Sequence, residues 1–141
     1  MVLAEMVGGP LPPFSADPEG GKTGAEVVFQ GRVRDEENGR AIVALDYEVY
    51  AGMAGKELSA IVAETAGRFD IQDLFCRHRT GLVPVGEASL QIVIWSRHRE
   101  AGLEAVAWLV REIKLRVPVW KWGICADGER FPSVAGARDP S

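Results

Sequence analysis

The sequence predicts an α+β domain, and three observations lead there. Segments with strand and helix periodicity follow one another as strand, strand, helix, strand, strand, helix, strand. The two amphipathic helical segments do not alternate with every strand, and the chain opens on a hairpin pattern, which argues against a doubly wound parallel sheet. Glycine-rich nucleotide motifs are missing: neither Gly81 nor Gly86 is followed by a helix opening at the spacing a phosphate loop needs.

Residues 1–24 read as an N-terminal arm, because glycines, prolines and charges run from Gly8 to Thr23 without periodicity. A first strand over 25–33 places Ala25, Val27, Phe29 and Gly31 on one face and Glu26, Val28, Gln30 and Arg32 on the other. Asn38-Gly39 marks a hairpin turn inside a loop longer than two residues, and 41–50 forms the return strand. Leu58, Ile61, Val62 and Thr65 recur at helical spacing within a helix over 53–69, with Lys56, Glu57 and Glu64 outward. A short strand over 71–76 ends before Arg77-His78-Arg79. Residues 79–81 and 84–86 punctuate the chain ahead of 88–95, the most apolar strand, whose composition predicts a central position covered on both faces.

Ser96 is placed to cap a second helix whose buried stripe is Leu103, Val106, Ala107, Val110 and Ile113. Pro118 ends that helix, because the residue before a proline is pushed out of the α region. Residues 119–124 form a last strand, Asp127-Gly128 a turn, and 133–141 a flexible tail. The folded domain is thus expected over 25–132.

With 141 residues the chain has the size of one domain able to bury a core, and 47% hydrophobic residues exclude a disordered chain. Twenty acidic residues against 16 basic ones leave a net charge of −4, which disfavours nucleic acid and anionic membranes as partners but leaves room for one small basic pocket. Cys76 and Cys125 form no CxxC, so two free thiols in a reducing, cytoplasmic setting are expected, one bridge staying open. His78 and His98 lack the cysteine spacing of a structural zinc site, and no segment approaches the apolar length of a membrane span.

Several basic clusters could carry chemistry. Ser96-Arg97-His98-Arg99 falls between an apolar strand and a helix start, where free amides and the helix dipole favour anions. The alternative is that Arg97 and Arg99 pair with Glu100, Glu104 or acids at the sheet end. Lys114 lies one turn beyond Val110, and Lys121 stands between Trp120 and Trp122. A desolvated lysine, or one beside a second cation, is a better nucleophile. Equally, Lys114 can snorkel past the core and Lys121 can be an exposed strand residue. Arg32 and Arg34, flanking Val33, share a face if the strand alternation continues, and could clamp one phosphate or carboxylate or form a solvated pair. Arg77-His78-Arg79 is weighed as structural first, and Cys125 as an incidental thiol, since nothing in the sequence orients it as a nucleophile.

Phe29 through Asp35, Leu45-Asp46-Tyr47-Glu48-Val49-Tyr50 with Met53, His78-Arg79-Thr80-Gly81, Val85-Gly86-Glu87, Ser96 through Arg99, and Lys114 through Lys121 stand in an order that resembles the molybdopterin synthase catalytic (large) subunit, the MoaE family. The similarity spans about 25–131. It implies an α/β hammerhead-type fold and a homodimer that binds a small ubiquitin-like, MoaD-like sulfur carrier ending in Gly-Gly. The carrier's thiocarboxylate gives sulfur to cyclic pyranopterin monophosphate, two rounds making the molybdopterin dithiolene, with no cofactor or metal required.

By the same resemblance Lys114 is the main catalytic lysine and Lys121 a second one, while Arg32, Val33, Arg34, His98, Arg99, Trp122 and Gly123 join them in contacting substrate. Clustered cations suit two anionic reactants, and His98 is suited to donate a proton. One departure is visible. The family commonly follows the Trp-Lys step with a second basic residue and then Glu, where this chain has Trp122 and Gly123. Two other readings are a catalytically altered homologue serving as a carrier-binding interaction subunit, and a small phosphate-compound hydrolase.

Overall fold

The computed structural model describes residues 2–13, 21–50 and 52–133. Along the chain come β1 (Val2–Val7), β2 (Ala25–Arg32), β3 (Glu36–Glu37), β4 (Arg40–Ala41), β5 (Ala44–Val49), α1 (Met53–Arg68), β6 (Asp73–Arg79), β7 (Gly81–Pro84), β8 (Ala88–Ser96), α2 (Arg99–Arg116), β9 (Val119–Ile124) and β10 (Arg130–Pro132). They build one sheet in the order β1-β6-β8-β2, a second in the order β10-β9-β5-β7, and the small β3-β4 hairpin. Among these pairs β1 and β6 run parallel and the others antiparallel. The fold is α+β, as its sequence predicts.

Both helices pack on one face of the first sheet. Leu58, Ile61 and Val62 of α1 and Ala105, Leu109 and Ile113 of α2 meet Leu74, Cys76, Leu90, Ile92 and Ile94. Leu58, Ile61, Leu109, Ile92 and Ile94 are fully buried, each worth about 1.5–3 kcal/mol. Phe75, Val93 and Trp95 form a smaller cluster from the opposite-pointing residues of β6 and β8, so β8 is covered on both faces as its composition predicts. Cys76 sits in the main core, where burial pushes its thiol up to about 12, and both cysteines are free. The second sheet carries its own cluster of Val33, Ile42, Leu45, Tyr47, Val83 and Phe131.

The structure corrects several local expectations. Within the expected arm, residues 2–7 form a strand on the sheet edge, docking half-buried Ala4 and Met6 against the helices. Residues 14–20 of that arm, and the tail expected from 133 onward except Ser133, lie outside the described residues. The expected return strand divides into β4 and β5, and β5 pairs with β7 and β9 rather than β2, because β2 pairs with β8. Arg77, His78 and Arg79 lie inside β6, and β7 occupies the stretch expected to be punctuation.

Ser96 does not cap α2. It is the buried last residue of β8, its Oγ donating to the His98 carbonyl at 2.7 Å, and His98 takes the cap position without a side-chain bond. The buried side of α2 is Gly102, Ala105, Leu109 and Ile113, while Leu103 is 53% exposed. The physical reason is close approach to the sheet: a Cβ at Gly102 would lie 2.8 Å from Ser96 Oγ and 3.1 Å from Val27 Cγ2. Small residues mark this contact, and hydrophobic periodicity gives them little weight. As Pro118 requires, α2 stops at Arg116 with Val117 extended.

Candidate active site

Strand geometry decides where the lysine of β9 points. Successive residues face opposite sides, so Lys121 and Gly123 share a face while Trp122 takes the other. Lys121 stands opposite Tyr47 of β5, and Gly123 opposite Leu45. Tyr47 and Leu45 are buried in the second core, so Lys121 leaves the edge of an apolar layer. Its Nζ lies 3.5 Å from Glu37 Oε2, with side chains 28% and 9% exposed. The Asn38-Gly39 turn, with φ of 51° and 79°, joins Glu37 directly to Arg40 in a two-residue loop, shorter than the sequence suggested.

Beneath Tyr47 lies His78, the ring centroids 5.5 Å apart at 79°. Its Nδ1 is 2.9 Å from the Arg79 carbonyl, which can only accept, so Nδ1 carries the proton and donates. Burial lowers the His78 pKa from its ordinary 6.5, the Lys121 charge acts in the same direction, and the bond to Arg79 opposes both. A neutral buried ring contributes stability above the unfolded pKa, and that contribution is lost as pH falls from 6.5 through the lower folded value. The unfolding midpoint is therefore expected to fall as pH is lowered below about 6.5, and a His78→Gln variant to lack part of that fall. Equal pH dependence in the two proteins, measured by thermal melts, would refute this.

The remaining basic residues divide between two ends. Arg32 closes β2 at a register shift, and its guanidinium donates to the Gly86 carbonyl at 2.8 Å. The shift leaves Ser89 of β8 unpaired, and along β2 the alternation continues, with Arg32 and Arg34 exposed on either side of buried Val33. Val33 is 3% exposed and packs in the second core; its amide donates to Glu87 and its carbonyl accepts from Gly86. The side chain therefore has a core role, between the exposed Arg32 and Arg34. Trp122, on the face away from Lys121, donates Nε1 to Glu48 and lies under the Arg130 guanidinium. Gly123 lies beneath the Phe131 ring, since a Cβ there would come within 2.3 Å of it.

His98 and Arg99 are exposed at the start of α2, and Lys114 is exposed near its end. Fifteen helical steps put Arg99 and Lys114 about 22 Å apart, too far for two side chains to hold one small anion. Strand β2 provides a second measure. Its Ala25 pairs with Ser96 and its Arg32 with Ala88, so the Arg32–Arg34 end lies about 24 Å from the His98–Arg99 end. Lys114 and Lys121 flank the short link at Val117-Pro118, and Glu37 joins Lys121 to the segment that follows Arg34. The lengths of α2 and β2 thus separate His98 and Arg99 from Lys114 and from Arg34 within one chain.

Arg77 and Arg79 take structural roles: Arg77 pairs with Glu5 and covers Phe75, and Arg79 pairs with Glu87. Glu37 and Tyr47 adjoin Lys121 without belonging to any of the basic clusters. The Asn-Gly turn was the available signal for Glu37, but nothing local says that its hairpin folds against β9.

These features define a class: an α+β domain whose second sheet presents a half-buried lysine, suited to small anions. The sequence matches the family described as MoaE protein over residues 13–116. It is 46% identical over 107 residues to the molybdopterin synthase catalytic subunit of Pyrococcus abyssi, covering 76% of this chain and 72% of that protein. The corresponding subunit of Culex quinquefasciatus is 47% identical over 107 residues, covering 75% and 68%. The crystal structure of molybdopterin synthase from Staphylococcus aureus superposes with a TM-score of 0.77 at 30% identity, over 89% of this chain and 94% of that one. The chain belongs to the MoaE family.

Proposed function

We propose that this chain is the catalytic subunit of a molybdopterin synthase, moving sulfur from a thiocarboxylated carrier to cyclic pyranopterin monophosphate. The observation that carries the proposal is the half-buried Lys121 at the margin of the second core, with Lys114 beside the same Val117-Pro118 link. Both reactants are anions, and fixed cations in a partly desolvated site align them and stabilise charge that develops during transfer. The partner is a small ubiquitin-like carrier ending in Gly-Gly, and the setting is cytoplasmic, in keeping with two free thiols. Among the described residues no helix is long and apolar enough to cross a membrane.

The separation of His98 and Arg99 from Lys114 adds a requirement. A second copy of the chain, in a homodimer, supplies its His98 and Arg99 to the pocket built by Arg34, Lys114 and Lys121 of the first. This reading is tested by mixing inactive variants. Reconstituted with thiocarboxylated carrier and precursor, Arg99→Ala and Lys114→Ala proteins are each expected to be impaired. Exchanged subunits are expected to recover about a quarter of wild-type conversion, because half the dimers then hold one intact pocket. No recovery after verified exchange would rule out a pocket shared between copies. Stable carrier binding by wild type without precursor conversion would instead favour the interaction-subunit reading.

A further inference from the structure

We propose that Glu37 is the positioning residue for Lys121, holding its ammonium in the direction from which it meets the transferred group. The inference rests on the sulfur-transfer reading of Lys121 and deepens it by adding a residue outside the basic set.

Three observations carry it. Glu37 is 8% exposed, and a carboxylate so buried is rarely kept without a charged or hydrogen-bonding partner. Its Oε2 lies 3.5 Å from Lys121 Nζ, longer than the 2.7–2.9 Å of a tight charge-assisted hydrogen bond. The contact therefore acts as an electrostatic tether that restrains the direction of the ammonium without the geometry of a tight hydrogen bond. Finally, β9 offers no acid on the lysine's own face: Val119 and Gly123 stand two residues away on either side, and Tyr47 stands opposite.

The carboxylate arrives instead on a braced hairpin. Asn38 and Gly39 set its register, Ile42 N–H donates to Asp35 O at 3.0 Å, and Arg40 lies 4.3 Å over the Phe131 ring while pairing with Glu129 at 3.0 Å. A four-carbon side chain held from a rigid element loses less freedom when it engages a reactant. Glu37 is also negative, so it cannot strengthen the binding of anionic reactants. Its contribution must appear in turnover and not in affinity, which separates positioning from charge attraction.

The experiment uses the full chain with thiocarboxylated carrier and pyranopterin precursor, comparing wild type, Glu37→Gln, Glu37→Asp, Lys121→Ala and the Glu37→Gln/Lys121→Ala double variant. Glu37→Gln is expected to lower kcat by about tenfold with KM unchanged or lower, and Glu37→Asp to restore part of the loss. In the Lys121→Ala background Glu37→Gln is expected to have no further effect. Full kcat in Glu37→Gln, or an equal loss in the Lys121→Ala background, overturns the proposal.

A second readout needs no turnover. Acylation of Lys121, followed by mass spectrometry with Lys56 as the internal reference, is expected to quicken severalfold in Glu37→Gln. Melting temperatures of Glu37→Gln and Glu37→Asp identify any loss of fold. Unchanged labelling in a folded Glu37→Gln protein refutes the tether. Wild type that fails to convert precursor, with Lys121 labelling still controlled by residue 37, overturns the sulfur-transfer reading and supports the tether.

Discussion

Lys114→Ala is expected to lower precursor conversion by about 10²–10³-fold, the loss typical of removing one preorganised charge from a transition state. The side chain is exposed in the last turn of α2, where a cation is favourably placed near a helix C-terminus. That is worth about 0.3–1 kcal/mol, and alanine, the strongest helix former, offsets part of it. Stability should therefore change little while conversion collapses. Single-turnover conversion, carrier binding and thermal melting, measured on the same preparation, separate these effects. Conversion within twofold of wild type would remove Lys114 from the mechanism. Retained carrier binding in the inactive variant would show that the lysine acts after the carrier docks.

Gly123→Ala is expected to destabilise the second sheet by about 1–3 kcal/mol, the usual cost of overpacking, and to lower the melting temperature by about 3–12 °C. The new Cβ would stand 2.3, 2.5 and 2.8 Å from three atoms of the Phe131 ring. That ring has little room to move. It is buried against the second core, pairs across the strands with Gly123, and carries the Arg40 guanidinium 4.3 Å from its centroid. Glutamate at this position has the same Cβ and adds a charge to the contact, so it should be worse still. A Phe131→Leu change should recover part of the stability lost in Gly123→Ala, because the two residues share one space. A Gly123→Ala protein melting with wild type would overturn this account. Glycine at 123 thus has a packing reason: it accommodates an aromatic ring from β10.

Much of the architecture was legible because its causes are local. Pro118 stops α2, the 3.6-residue spacing of Leu58, Ile61, Val62 and Thr65 selects the buried side of α1, and the apolar run of β8 marks its central place. The site residues were legible through ordered motifs. Glu37 was not, because its burial depends on a hairpin meeting a strand more than eighty residues away in the chain. Strand β1 was missed because its partner β6 lies across most of the domain, and alternation alone does not identify a parallel edge.

The sequence by itself determined the α+β class, the two helices, the last long strand and the basic residue types the chemistry needs. Only the tertiary structure decided which of those residues stand together. Charge and motif order carry no distances, whereas the lengths of α2 and β2 place His98 and Arg99 about 22–24 Å from the Lys114 and Arg34 ends. It also decided which face of α2 is buried and why residue 123 is glycine. Each depends on how closely another segment approaches, a quantity the packed core sets and a linear pattern does not contain.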